Sequence, residues 1–187
     1  MDPLSDCLHP PLARERVSEG HHVEHLRLVR NECRAGFAHD TREVSAEDQK
    51  LWWARHVDAD AIRAWLYFVP GGFFYGSGAK IWKLAGYGLV REEGGRWWSS
   101  VAVSPEHAGR GLGGRITADL IRQVPFEVHG SARLDQPKAV ALHREEDWEE
   151  VARDERLVTF RTRSRWAKAV LDAWAEGGGP FGIEGHV

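Results

Sequence analysis

The spacing of apolar residues changes period several times along the chain, and each change predicts an element. His25 to Val29 (HLRLV) alternates, which predicts a first strand. Leu51, Trp52 and Val57 then recur on a helical stretch behind Ser45, a residue suited to accept from the free amides of a helix start. Asp48 stands three residues after that cap, where a full capping box has Glu or Gln. Three strand-like runs follow: AWLYFV (64–69), IWKLAGYGLV (81–90) and RWWSSVAV (96–103). The last two are separated by REEGG, and Gly94 and Gly95 are available for positive φ, so the middle of the chain predicts an antiparallel meander.

Beyond position 115 the period returns to that of a helix, with Ile116, Leu120 and Val124 in register until Pro125 closes it. EVHGSARL alternates again, placing Val128, Ala132 and Leu134 on one face and Glu127, His129, Ser131 and Arg133 on the other. PKAVALHREED predicts a helix with Pro137 in its first turn. WEEVA and RLVTFRT predict a closing strand pair, and Ser164 opens a last amphipathic helix carrying Trp166, Val170, Leu171 and Trp174.

Composition narrows the class. A chain of 187 residues, 42% hydrophobic and 28% charged, suits one globular domain with a sizeable core. No apolar run approaches the roughly 20 residues that span a bilayer, and the start MDPLSDCLHPPLARER lacks the apolar core of a secretion signal. Cys7 and Cys33 make no CxxC pair and no disulfide framework, so both read as reduced thiols of a cytoplasmic protein. A net charge of −3 gives no overall attraction to nucleic acid or membrane. The nine tryptophans read as core fillers, since base-stacking platforms would come with an interleaved basic run. Residues 1–20, with Pro3, Pro10 and Pro11, read as a mobile or surface-draped leader, residues 21–163 as the domain, and residues 164–187 as an added helix and tail.

The chemistry-bearing stretch is VSPEHAGRGLGGRI, 103–116, with four glycines in six residues between a strand and a helix. A P-loop needs Gly-Lys-Ser/Thr, whereas Gly113 is followed here by Gly114 and Arg115. Gly109, Gly111 and Gly114 spell GxGxxG, but a dinucleotide fingerprint follows the first strand of a parallel unit, not an antiparallel meander. The remaining use is a diphosphate cradle, in which the amides of a helix start converge on an anion and glycines keep Cβ atoms out of its way.

In this light VAVSPEHAGRGLGGRI resembles motif A of the GNAT N-acyltransferase superfamily, with Ala108 where the family usually has Gln or Arg. Gln136 to Trp148 keeps the spacing of the family's later segment N-x-x-A-x-x-L-Y-x-x-x-G-F, with Gln136 for Asn, His143 for Tyr and Asp147-Trp148 for Gly-Phe. The resemblance spans about residues 23 to 163 and implies an α/β (α+β) fold. It has a central mixed, mostly antiparallel sheet flanked by helices, and here an added C-terminal helix. It further implies acetyl-CoA as co-substrate, held by Val101, Val103, Ala108, Gly109, Arg110, Gly111, Leu112, Gly113, Gly114 and Gln136.

The implied reaction is direct attack of a primary amine on the thioester in a ternary complex. His143 would serve as general acid for the departing thiolate. For the base, His129 ranks first, then Ser131 at the register of a catalytic Glu, with Glu127, Ser99 and Ser100 as further polar candidates. The amine is open among small molecules, a protein N-terminus and a modified nucleic-acid base. No membrane partner is implied, and a homodimer through the last helix is an option. The departures at Ala108, Gln136 and His143 keep a non-catalytic acyl-CoA-binding module as the alternative. His21 and His25 have i, i+4 spacing but no third ligand in sequence, so no metal site is assigned. Arg161, Arg163, Arg165 and Lys168 read as a solvated helix start.

Overall fold

The computed structural model describes residues 11–18, 20–73, 80–146 and 148–162. Among them the strands form one seven-stranded sheet in the order β1-β2-β3-β4-β5-β7-β6. β1 (Ala13–Arg16), β2 (Ile62–Phe73), β3 (Lys80–Glu93) and β4 (Arg96–Val103) pair antiparallel in sequence, as the meander predicts. β5 (Val128–Arg133) joins β4 in parallel, and β7 (Leu157–Arg161) and the exposed edge strand β6 (Glu149–Arg153) complete an antiparallel second half. The mixed, mostly antiparallel sheet flanked by helices agrees with the expected fold class. The expected C-terminal helix with Trp166 and Trp174 lies outside the described residues.

Two expectations are corrected at the start of the chain. His25–Val29 is not a strand: it lies inside α1 (Gly20–Cys33), which buries Val23, Leu26 and Val29 at a spacing of three and leaves Leu28 exposed. The alternation of HLRLV arises because Leu26 and Leu28 fall on different sides of a helix. Residues 13–16, assigned to a draped leader, are an edge strand pairing Ala13–Arg16 with Trp65–Phe68. Val17 extends that pairing by donating its N–H to the Ala64 carbonyl at 2.9 Å.

Alternation along the strands divides the core in two. On one face Trp65, Tyr67, Val128, Ala132 and Phe160 pack under α3 (Leu112–Arg122) and α4 (Pro137–Glu145), through Ile116, Leu120 and Val140. On the other face Ala64, Leu66, Tyr87, Leu89 and Ala102 pack under α1 and α2 (Ala46–Asp58). Ser45 caps α2 as expected, accepting from the Asp48 N–H at 3.1 Å, an arrangement worth about 1 kcal/mol. Most described tryptophans fill these two layers: Trp65 and Trp148 are buried, and Trp52, Trp53 and Trp97 pack against them, whereas Trp82 is exposed.

A candidate acyl-transfer site at the split in the sheet

The site begins where the sheet comes apart. β4 and β5 pair only at Trp97–Val128 and Trp98–His129. At the last rung the Ser99 hydroxyl donates to the His129 carbonyl at 3.2 Å. Beyond it the two strands keep pairing only with their outer neighbours, β3 and β7. Antiparallel ladders alternate bonded and non-bonded pairs, so single bonds establish which groups face the gap. Ser104 N–H donates to the Ala85 carbonyl at 2.8 Å, which turns the N–H and C=O of Val101 and Val103 away from β3 and toward the gap. Thr162 N–H donates to the Val128 carbonyl and Leu134 N–H to the Arg156 carbonyl, both at 2.9 Å. The peptide groups of Ser131 and Arg133 therefore face the same gap from β5. One lip is already in use, since the Cys33 thiol donates to the Val103 carbonyl at 3.1 Å.

A cavity of about 920 Å³ passes through this split. On the α3/α4 side it is lined by Gly113, Thr117, Gln136, Ala139, Leu142 and His143. Through the gap it is continuous with a chamber under α1 and α2. Of the residues predicted from sequence, Val101, Val103, Gly113, Gln136, Ser131 and His143 all line it, as do Ser99 and Ser100.

The glycine loop sits at one end. A 3-10 turn (Pro105–His107) leads to exposed Ala108, Gly109, Arg110 and Gly111, and Gly111 is the N-cap of α3. Gly109 and Gly111 have φ of 77° and 71°, left-handed values that favour glycine. The first helical bond is donated by Arg115 to the Gly111 carbonyl at 3.3 Å, so the amides of Leu112, Gly113 and Gly114 precede it and point out of the helix end. Gly111, Gly114 and Arg115 also border a second hollow of about 520 Å³ beside α3.

Not every glycine serves that opening. A Cβ on Gly114 would stand 3.1 Å from Leu142, so this position lets α3 approach α4. Leu112 contributes only backbone, because its side chain is buried with Val69 and Ala85.

His143 is held on three sides. Its Nδ1–H donates to the Ala139 carbonyl at 2.8 Å, its ring stacks on Phe160 at 4.8 Å and 9°, and Trp148 meets it edge-on at 4.9 Å. With Nδ1 protonated, the neutral ring carries its lone pair on Nε2. Burial lowers the His143 pKa, partly opposed by the Ala139 hydrogen bond, and so favours that neutral form. Nε2 lies over Gly130: a Cβ on that glycine would be 2.7 Å from Nε2 and 3.1 Å from the Ser99 Oγ.

His129 is placed differently. Odd-numbered residues of β5 face away from His143, and His129 packs on Trp98, with Nε2 3.2 Å from Glu127 and Nδ1 buried without a partner. Burial, the largest influence, lowers its pKa, and Glu127 opposes the shift. Neither His129 nor Glu127 lines the cavity. Ser131 does, with its hydroxyl 3.4 Å from that of Thr159.

The other sequence candidates are occupied elsewhere. Arg161 pairs with Glu149 at 2.9 Å and Glu127 at 3.7 Å, and Arg163, Arg165 and Lys168 lie outside the described residues. His21 and His25 share a helix with ring centroids 6.2 Å apart, and among the described residues no group of three His, Cys, Asp or Glu is placed to hold a metal. No described helix is long and apolar enough to cross a membrane.

Sequence reasoning did not single out Gly130, Tyr87, Gln49 or Trp98. A lone glycine inside a strand was the available signal for the first, since it marks close approach of another group. For the others burial in a chamber has no local signature.

By superposition the fold is that of the GNAT N-acetyltransferases. No protein-family model matches the chain, and no curated protein matches it in sequence. Solved structures do match. Spermidine N-acetyltransferase from Vibrio cholerae, in complex with CoA and spermine, superposes with a TM-score of 0.64 at 14% identity, covering 83% of this chain and 97% of that one. Phosphinothricin acetyltransferase from Sinorhizobium meliloti, in complex with AcCoA, gives 0.62 at 13% identity, covering 80% and 86%. Ribosomal-protein-alanine N-acetyltransferase from Brucella melitensis gives 0.60 at 15% identity, covering 80% and 98%.

Proposed function

We propose that this chain is an N-acetyltransferase that passes an acetyl group from acetyl-CoA to a primary amine within a ternary complex. The observation that carries the reading is the juxtaposition of two features: an open helix start at Gly109–Gly114 and a split whose lips, Val101, Val103 and Ser131, present peptide groups to a through-going cavity. The helix start suits a diphosphate, and the lips suit the amides of a pantetheine arm laid between the strands. The CoA-bound state of the Vibrio cholerae and Sinorhizobium meliloti structures supports the same ligand here.

In this reading the amine enters from the α1/α2 chamber and attacks the thioester carbon at the split. A backbone N–H of the Val101–Val103 lip polarises the carbonyl. The nitrogen must lose a proton and the departing sulfur must gain one. Three histidines line the cavity, His39, His56 and His143, and His143 is the one carried on α4 and stacked on Phe160 beside the split; its Nε2, with a free lone pair, accepts the first proton before returning it as the carbon–sulfur bond breaks. His143 is thus first a base and then an acid, which goes beyond the acid role the family resemblance implies. His129 keeps a supporting place under Trp98.

The test is acetyl-CoA titration combined with thiol release over an amine panel. Binding in the micromolar range with turnover supports the proposal. Absence of acetyl-CoA binding would end it. Ala108, which lacks the polar side chain usual at the loop entry, favours a second reading as a non-catalytic acyl-CoA-binding module. Tight binding without thiol release from any amine would select that one.

A further inference from the structure

The chamber under α1 and α2 restricts the amine more closely than the fold does. We propose that the acceptor is a primary monoamine on an aromatic framework bearing a hydrogen-bond-accepting substituent, rather than a polyamine; this rests on the acyltransferase reading. The inference joins the chamber walls, the charge at its rim and one buried amide.

Much of the chamber wall is apolar or aromatic, from Leu26, Phe37, Trp52, Tyr87, Leu89 and Trp98, with Ser100 and Ser131 beside the split. Leu26, Tyr87 and Leu89 are at most 3% exposed. The Tyr87 hydroxyl lies 3.5 Å from the Ser100 Oγ, and burial pushes its phenol up to about 12, so it stays neutral at physiological pH. A flat apolar body fits between such surfaces. A second ammonium laid along them would lose water without gaining a counter-charge.

The charged side chains around the chamber sum to a single net negative charge. Asp40, Glu43, Asp48 and Glu93 line the cavity against Arg30, Arg42 and Arg91, one more carboxylate than guanidinium. Two of the acids are already committed. Asp40 pairs with Arg42 at 3.1 Å and Arg30 at 3.5 Å, and Glu93 pairs with Arg91 at 2.9 Å. The Arg42 hydrogen bonds hold the Asp40 carboxyl down at about 2, so it is fully ionised and spoken for. One net negative charge balances the single ammonium of a monoamine. The several ammonium groups of a polyamine would exceed that net charge, with Glu43 and Asp48 the lining carboxylates outside the Asp40 and Glu93 ion pairs.

Gln49 adds a directional requirement. It lines the cavity, is 3% exposed, and its carboxamide nitrogen has no hydrogen-bond partner. A buried amide donor left unpaired is costly, and an oxygen on the acceptor molecule would satisfy it.

The experiment compares tyramine, phenethylamine and spermidine as acceptors by thiol release, together with saturation-transfer NMR of each amine on the CoA-loaded protein. Tyramine is expected to exceed spermidine at least tenfold in kcat/KM and to exceed phenethylamine several-fold. Gln49→Leu replaces the buried amide with an apolar group of similar size, so the fold is retained, and it should erase the difference between tyramine and phenethylamine. Trp98→Ala should raise KM for both aryl amines with a smaller change in kcat. Spermidine matching or exceeding tyramine overturns the inference, as does a tyramine preference that survives Gln49→Leu. Should acetyl-CoA bind with no amine turned over, the acyltransferase reading fails. The NMR then judges the chamber on its own, and absence of transfer to the aryl ring protons overturns it.

Discussion

Gly130 has no side chain, and the placement of His143 depends on that absence. Because a Cβ there would come within 2.7 Å of Nε2, Gly130→Ala must push the ring off its stack on Phe160 or tilt β5. The expected result in thiol-release kinetics is a kcat at least tenfold lower with a smaller change in the KM for acetyl-CoA. An unchanged kcat would remove His143 from proton transfer. Burial also makes His143 and His129 sensitive to acid. Both have folded-state pKa values below the ordinary histidine value of about 6.5. Between the lowered value and 6.5 the unfolded chain binds protons that the folded chain refuses, so stability is lost as pH falls through that window. Thermal melting from pH 8 to pH 5 should show a midpoint that drops below about pH 6.5, and His143→Phe should flatten part of that drop. The place of His143 at the cavity was legible in the sequence through spacing alone, since Leu142-His143 keeps the register of the family's Leu-Tyr. Its tautomer was not, because the Ala139 carbonyl that holds Nδ1 is four residues away on a helix that had first to be shown to form.

At the scale of elements, the glycine loop was read correctly as a turn into a helix start, but for a broader reason than the geometry supports. Gly109 and Gly111 answer to left-handed φ, Gly114 answers to the contact of α3 with Leu142, and only Gly113 faces the main cavity. Gly111→Ala should therefore act on both counts, costing roughly 1–3 kcal/mol of stability and weakening acetyl-CoA, as calorimetric titration and denaturant melts would show. Equal affinity in the variant would place the diphosphate elsewhere. The meander, α3 and α4 were legible because their apolar periods run long enough to separate a helix from a strand, whereas the closing pair was read from short runs, of which β6 proves exposed along its whole length. α1 was not legible, because the five residues of HLRLV satisfy both periods. β1 was missed for the opposite reason: Arg14, Glu15 and Arg16 are exposed on an edge strand, so ARER carries no apolar alternation at all.

Across the whole molecule, those four residues tie the start of the chain to the site. Arg14 pairs with Asp119 on α3, and Asp119 also accepts from the buried Tyr67 hydroxyl at 2.9 Å. β1 thereby covers the edge of β2 and braces the helix that presents the glycine loop. Deleting residues 1–18 should lower the thermal midpoint and leave β2 as an open edge prone to association, readable by melting and light scattering. The strands from β2 onward were predictable from pattern, whereas the split was not, because strands that part still alternate like strands that pair. That split and the helix start beside it carry the central claim, and hydrogen–deuterium exchange with and without acetyl-CoA tests it most directly. The account predicts slowed exchange confined to the amides of 109–114 and of the lips at 101–103 and 131–133. Acetyl-CoA that binds while leaving those amides unchanged, or that protects a different surface, would contradict it.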